Sequence, residues 1–296
     1  SSARASASTT PTQPPRAVAA LLSIFNRMKI ASWNVNSVNA RLPNLTRWLE
    51  ESAPDIACLQ ELKCVDDAFP REAVEALGYN VESHGQKTYN GVALLSKYPL
   101  EDVSRGLPGF EDEQARFIEA VVSANGSALR VASLYLPNGN PVIPENGEDA
   151  FHEKYTYKLD WMAALEVHAK TLLSYEETFV LAGDYNVIPT PADCHAPDKW
   201  EGDALYRPET HTAFRRLLNL GLTEAVATLA VTDDTTYTFW DYQGGARRKN
   251  NGIRIDHHLL SPLAADRLTN FGIDAHTRDW EKPSDHVPVW VELGVR

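Results

Sequence analysis

The chain has 296 residues, 43% hydrophobic and 23% charged, a composition ordinary for one large globular domain or two small ones. Its formal charge is −12; beyond the first 27 residues, which hold Arg4, Arg16 and Arg27 but no acid, 25 bases face 40 acids, a net of −15. That balance speaks against a protein held on nucleic acid chiefly by bulk electrostatics, yet it admits an enzyme that gathers its bases on one face and offsets part of its acid with a bound cation.

A chain this long buries roughly 75% of its unfolded surface and needs no disulfide or structural metal to hold a core. The three cysteines, Cys58, Cys64 and Cys194, have no CxxC spacing and an odd count, which points to reduced thiols in a cytoplasm-like compartment. No run reaches 18 apolar residues, so no membrane span is expected.

Residues 1–27, SSARASASTTPTQPPRAVAALLSIFNR, are rich in Ser, Thr, Ala and Pro. They are expected to lie outside the fold as a disordered leader, a transit segment or a remnant, ahead of a single domain over 28–296; a transit segment would direct the protein to an organelle. Lys29 to Val35 reads as a strand, Leu42 to Ser52 as a helix with Leu45, Trp48 and Leu49 on one side, and Asp55 to Gln60 as a second strand. Further strands are expected at 79–83, 91–96, 116–123, 128–135, 178–183, 254–260, 269–274 and 287–292, and a long helix at 151–173. Many strands with few helices between them favour antiparallel pairing, while the strand-helix-strand opening favours parallel pairing, so mixed sheets are expected. SWNVN and GDYNV, each a polar cluster ending a strand, hint at two related halves facing each other. The acidic insert PVIPENGEDAFHE over 141–153 carries no recognisable signature.

Several strands end in acids, amides or His. Asn34 and Asn36 end the first, Gln60 and Glu61 the second; Tyr135 and Asn138 follow a middle strand, Asp184 and Asn186 follow VLAG, and Asp256 lies inside RIDHHLL. Each alone reads as a turn residue or a solvated side chain, and SDH in EKPSDHVPVW reads as a turn between two prolines. Together they hold the parts that metal-assisted phosphodiester hydrolysis needs. Glu61 suits a hard cation such as Mg²⁺, which takes oxygen ligands and few protein carboxylates. Asp184 is placed to orient or deprotonate a water. Asn34, Asn186 and Tyr135 supply neutral donors around a phosphate, and Asp256 would favour an imidazolium at His286 that can bind a phosphate oxygen.

MKIASWNVNS, PDIACLQELK, HGQKTYNGVALLSK, LYLPNG, VLAGDYNV, the run TFWDYQ through GIRIDHHLLSP, and EKPSDHVPVW together resemble, in this order, the exonuclease III class of the endonuclease/exonuclease/phosphatase superfamily. The resemblance covers essentially residues 28–296, and so implies one catalytic domain there. It implies an α/β fold, a four-layer αββα sandwich of two mixed β-sheets flanked by helices, with the site where strands terminate at one end. It further implies a DNA hydrolase, dependent on Mg²⁺ with Mn²⁺ as the alternative ion, that cuts the phosphodiester 5′ to abasic sites in base excision repair. Accompanying 3′ to 5′ exonuclease and 3′-phosphatase or phosphodiesterase activity is implied as well. The partner would be double-stranded DNA with abasic sites or 3′ ends, the working form a monomer without membrane association, and the location the cytoplasm. Position by position, Glu61 matches the metal ligand with Asn34 near it, and Asp285 a carboxylate that can join the metal site. Tyr135 matches the phenol beside the scissile phosphate, Asp184 the water-positioning residue, Asn186 the phosphate contact, and Asp256 with His286 the dyad.

Three positions depart from the animal-type enzymes. Asn36 stands where they have Asp, Asn140 and Pro141 replace an Arg that they insert into DNA, and Ile253 replaces a Trp of the abasic pocket, leaving Phe239, Trp240 and Ile255 as candidate walls. Candidate DNA contacts are Lys63, Lys87, Arg105, Lys158 and the cluster Arg247, Arg248 and Lys249, where a basic loop beside Trp240 could grip phosphate and stack on sugar or base. Two other readings stay open. A phosphatase of inositol phosphates or lipids, or a nonspecific secreted nuclease, would keep nearly the same catalytic set, but HGQKTYNGVALLSK and TFWDYQ resemble the repair branch, and neither a secretory signal nor paired cysteines is expected. A catalytically dead binding module would be expected to lose at least one of the matched charges, and none is lost.

Overall fold

The structure is a computed structural model and describes residues 27–124, 126–145, 150–231 and 235–294; the expected leader, all but Arg27, and residues 146–149 of the acidic insert lie outside the described residues. In chain order the strands are β1 (Arg27–Asn34), β2 (Ile56–Gln60), β3 (Asn80–His84), β4 (Val92–Ser96), β5 (Leu100–Arg105), β6 (Phe117–Ala124), β7 (Ser127–Tyr135), β8 (Phe179–Asp184), β9 (Thr223–Glu224), β10 (Asp256–Leu260), β11 (Leu268–Ile273) and β12 (Val289–Gly294). They form two six-stranded sheets, ordered β11-β12-β1-β2-β4-β3 and β5-β6-β7-β8-β10-β9. Only β1 with β2 and β7 with β8 pair in parallel among the described strands, so both sheets are mixed.

The two sheets repeat one plan, with the parallel pair third and fourth in each order and antiparallel neighbours outside it. Two related halves were hinted at by SWNVN and GDYNV, but the topological mate of β1 is β7 and that of β2 is β8. The equivalent rims are therefore Asn34 beside Gln60 and Tyr135 beside Asp184, which are register partners in their sheets.

Three apolar layers hold the sandwich. Ile30, Ile56, Leu94, Ile118, Val131, Val180 and Val291 fill the space between the sheets. On the outer face of the first sheet, helix α1 (Leu42–Ser52) buries Leu45, Trp48 and Leu49, the face expected from their spacing. Trp48 meets Trp33 of β1 edge to face with centroids 5.4 Å apart, a pairing worth roughly 0.5–1.5 kcal/mol beyond its buried area. This helix starts with Pro43 in its first turn and stops where Ala53 turns left-handed and returns its N–H to Leu49 O. The short α2 (Arg71–Glu75) adds Val74 to the same layer. On the second sheet lie α3 (Glu153–Ser174) and α4 (Pro208–Asn219), burying Trp161, Leu165, Phe214 and Leu217. Because both faces of each sheet are covered, β2, β4, β8 and β10 are buried at every residue, which is why all but β10 read as near-continuous apolar runs.

Several elements carried too little signal to be read, the short β9 and α2 and the longer β5 and α4 among them. Strand β5, LEDVSR, is a bulged edge strand with no apolar alternation, and Asp102 within it has φ 49°. Helix α4, PETHTAFRRLLN, buries only Thr210, Phe214 and Leu217. The three cysteines are free and buried, as packing residues. Among the described residues no helix is long and apolar enough to cross a membrane.

In β10 the side chains of Asp256, His258 and Leu260 share the face toward the other sheet. His258 is fully buried there, and neither ring nitrogen meets hydrogen-bond geometry with a partner; Glu224 and the Ile30 backbone favour its charged form and His257 opposes it. Burial holds its pKa down, to about 4. The unfolded chain therefore binds more protons than the folded one between the ordinary value near 6.5 and about 4, and stability must fall as pH drops through that window. Replacing His258 by Leu removes an unsatisfied buried polar group and should stabilise the fold by about 1–3 kcal/mol at pH 7. Urea denaturation at pH 7 and pH 5 should also show a smaller acid loss in His258→Leu than in the parent; no gain and an unchanged pH slope would contradict this reading.

Candidate active site

The strand ends place the polar residues on one rim, and left-handed backbone turns aim several of them. Asn36, Glu61 and Asn186, just past the ends of β1, β2 and β8, have φ of 45°, 51° and 48°. Asn tolerates this region through local hydrogen bonding, while for Glu it is uncommon and needs support from its surroundings.

The centre of the rim is the Asn34 amide. Its Nδ2 donates to Asp184 Oδ2 at 2.9 Å and to Glu61 Oε1 at 3.2 Å, while its Oδ1 accepts from the Asn36 N–H at 3.0 Å. Two carboxylates on the nitrogen and an N–H on the oxygen fix the amide's orientation. Asn34 thus supports the acids as a donor, and the Asn36 N–H takes one of the two lone pairs of the oxygen expected to serve the metal site. The Tyr135 hydroxyl donates to Glu61 Oε1 at 2.6 Å. Burial opposes ionisation of Glu61, but the Tyr135 hydroxyl, the Lys63 ammonium and the Asn34 amide outweigh it and hold the carboxyl below its usual range. Burial and the Glu61 carboxylate push the Tyr135 phenol well above its ordinary value, so it remains a donor.

His286 lies between two acids. Its Nδ1 is 2.9 Å from Asp256 Oδ2 and its Nε2 3.6 Å from Asp184 Oδ2. Burial works against a charge on the ring, but Asp256 and then Asp184 outweigh it and raise the imidazole well above its ordinary value. Burial, the largest cause, and the Asp256 carboxylate push Asp184 up to about 7 against the pull of His286. The SDH turn is built for this. Ser284 Oγ donates to Asn34 O at 2.7 Å and accepts the His286 N–H at 3.2 Å, and Trp33 Nε1 holds His286 O at 3.1 Å. Thr238 donates to Asp256 Oδ2 at 2.6 Å. Ser284 and Thr238 were not singled out from the sequence, although both sit inside motifs that were, SDH and TFWDYQ.

A second cluster adjoins Glu61. Lys63 Nζ is 3.1 Å from Glu61 Oε2 and 2.6 Å from Asn36 Oδ1, and Asn36 Nδ2 reaches Asp285 Oδ1 at 3.1 Å. Two oxygens, from Glu61 and Asn36, meet the lysine ammonium with Asp285 beyond the Asn36 amide, and carboxylate and amide oxygens are the donors a hard divalent cation takes. By distance alone Asp184, Asp256 and His286 could also take an ion, their ligand atoms lying within 4.8 Å of one another. The proton that the two acids favour on His286 competes with it there.

Asn186 completes the rim. Its N–H goes to Asp184 Oδ1 at 3.0 Å, its Nδ2 to Leu136 O at 2.8 Å, and its Oδ1 accepts from Asn138 Nδ2 at 3.4 Å.

The expected DNA contacts divide. Lys87 is exposed with no ion-pair partner among the described residues, beside the 67% exposed Tyr89, and Arg248 and Lys249 are exposed on the short helix α5 (Ala246–Lys249). Lys63 is engaged inside the acidic rim. Arg247 is held by Asp279 at 2.8 Å and lies 4.7 Å over the Trp240 ring, and Arg105 is held by Glu82 at 2.6 Å. Trp240 is only 1% exposed, with Nε1 bonded to Asn250 Oδ1 at 3.1 Å, so it is core and no stacking platform. Ile255 is buried as well. Lys158 has no exposed surface and cannot reach DNA. Phe239 is half-buried with its ring 5.0 Å from His286, and is the aromatic that walls the site. Arg116 stacks 4.8 Å over Tyr135 and donates to its carbonyl, a contact the sequence did not signal.

The family described as "Endonuclease/Exonuclease/phosphatase family" matches residues 31–286. Exodeoxyribonuclease III of Haemophilus influenzae is 35% identical over 274 residues, covering 90% of this chain and 100% of the relative. Among solved structures, a 3′ phosphatase from Neisseria bound to a product DNA hairpin is 39% identical with a TM-score of 0.81, covering 90% of this chain and 99% of that one. An AP endonuclease from Archaeoglobus fulgidus is 35% identical with a TM-score of 0.80, covering 89% and 98%. With the two mixed sheets and the matched rim, these likenesses assign the chain to the endonuclease/exonuclease/phosphatase family, as a nuclease of its exonuclease III class.

Proposed function

We propose that this protein is a divalent-cation-dependent DNA repair nuclease that hydrolyses the phosphodiester 5′ to abasic sites and also processes 3′ ends, acting as a monomer on double-stranded DNA in base excision repair. The observation that carries the reading is the pair of carboxylates, Glu61 and Asp184, joined by one amide nitrogen beside an imidazole that two acids hold protonated. The relatives named exodeoxyribonuclease, 3′ phosphatase and AP endonuclease support a common phosphoryl chemistry with differing substrates.

In this reading Asp184 accepts a proton from the attacking water, a task suited by a pKa raised toward the working pH. His286 has Nδ1 committed to Asp256, so its Nε2–H is the group offered to a phosphate oxygen. Asn186 offers the N–H of its amide left over from Leu136 O to the same phosphate, while the Tyr135 hydroxyl, its one proton given to Glu61, steadies that carboxylate beside it. These donors are fixed before reaction, which is where such groups gain most over water. Glu61 and Asp285 would hold Mg²⁺, or Mn²⁺ in its place, with the Asn36 amide oxygen available beside them; a bound ion would neutralise phosphate charge and polarise the scissile bond. Phe239 offers an apolar wall beside His286 for a sugar that lacks its base.

The test is a duplex carrying one tetrahydrofuran abasic analogue, incubated with Mg²⁺ or with EDTA alongside a 3′-recessed duplex. Incision 5′ to the analogue in Mg²⁺ and none in EDTA is expected; no incision, or incision that EDTA leaves unchanged, would contradict the proposal. Asp184→Asn and His286→Ala should each lower kcat by about 10²- to 10⁴-fold with the fold intact, and normal turnover by either would remove that residue from the mechanism.

A further inference from the structure

We propose that Lys158 is a positioning residue of the phosphate site, whose buried ammonium clamps the loops that follow β7 and β8 and so fixes the amide of Asn186. The proposal rests on the reading that Asn186 contacts the reacting phosphate. Lys158 projects from α3, the helix behind the second sheet, and is completely buried. Its Nζ donates to Asn138 O at 3.0 Å and to Asn186 O at 2.6 Å, two carbonyls from two different loops.

The stem of Lys158 is as closely fitted as its head. Gly139 has φ 91°, and a Cβ there would lie 2.6 Å from Lys158 Cδ and 3.2 Å from Lys158 Cβ. The glycine of LPNG is therefore required both by the left-handed turn and by the lysine lying against it. Both clamped carbonyls lead to the same side chain. Asn186 is held directly, and Asn138 turns its own Nδ2 to Asn186 Oδ1 at 3.4 Å. Asn140 steadies Asn138 in turn, donating from its N–H and Nδ2 to Asn138 Oδ1 at 3.1 and 3.0 Å.

A fully buried ammonium is expensive for a fold to keep when no charge faces it. Burial, the largest cause, lowers the pKa of Lys158 to about 7, while Asp203 and Asp184 act to keep it charged. Asp203 itself belongs to the loop framework, accepting from Asn140 Nδ2 at 3.1 Å. The lysine thus joins the acid side of the site to the loop that carries its neutral donor. As charge develops on the phosphate, a donor already aimed costs no reorganisation, whereas one on a loose loop must be ordered first.

The experiment is a double-mutant cycle on the tetrahydrofuran duplex in Mg²⁺ with the full chain: parent, Lys158→Met, Asn186→Ala and the double variant, each with thermal unfolding measured. Lys158→Met should lower kcat about 10- to 100-fold with KM changed by less than about threefold, and the double variant should be no slower than Asn186→Ala alone. Lys158→Gln, which keeps one donor, should fall between Lys158→Met and the parent. If the two losses multiply while Asn186→Ala is itself slow, Lys158 does not act through Asn186 and this inference alone falls. Normal turnover by Asn186→Ala would overturn both this inference and the role given to Asn186. Activity that falls only in proportion to folded protein, in both Lys158 variants, would also overturn it.

Discussion

The arrangement depends on one amide nitrogen shared by two carboxylates from different sheets. Glu61 follows β2 of one sheet and Asp184 ends β8 of the other, and Asn34 Nδ2 lies 3.2 and 2.9 Å from them. Without a donor between them, a buried acid and a half-buried one this close would repel, and uptake of a proton by one would be favoured. His286 makes a second bridge of the same kind, reaching Asp256 and Asp184 of the second sheet from the loop that leads into β12 of the first. The two polar bridges close one end of a sandwich whose interior is mainly apolar, apart from buried His258 and the Gln60 amide, which reaches Ser133 of the other sheet at 3.0 Å. Removing one partner from such a buried pair typically costs 3–5 kcal/mol, so the geometry that serves chemistry also joins the layers.

The strand ends meet that demand with backbone conformations that a stability-optimised turn would avoid. Glu61 and Asn186 both sit at positive φ, and each is held by several hydrogen bonds that leave little freedom. Strain of this sort, about 1–3 kcal/mol per residue, persists where the surroundings over-determine it. The same economy applies to charge. A chain with a net charge of −12 nonetheless seats a lysine, a histidine and several amides around its acids, and leaves Lys87, Arg248 and Lys249 exposed.

Much of the fold was legible because burial on both faces leaves β2, β4 and β8 as short apolar runs, and because α1 displays its apolar stripe between a proline and a left-handed stop. The rim residues were legible as polar groups ending those runs. What periodicity could not carry was direction and depth. Trp240 follows a half-buried neighbour and sits in a basic segment, but its ring points into the core under Arg247. Lys158 looks like one more solvated helix lysine until the loops folded over it are seen. Asn34 could donate or accept, and only the placement of Glu61, Asp184 and the Asn36 N–H decides which. His257 and His258 are adjacent in sequence yet face opposite layers, one bonded to Val187 O at 2.9 Å and the other unpartnered.

The most direct test of the account is Asn34→Asp, which preserves the shape of the side chain and removes its donor. A third carboxyl would then sit between Glu61 and Asp184, where the account requires an N–H. Steady-state incision of the abasic duplex at saturating Mg²⁺ should show kcat reduced by about 10²-fold or more, with the protein still folded, as expected when a preorganised polar network at a reaction centre loses one member. Turnover within a few-fold of the parent would mean that the shared amide is not what organises this site.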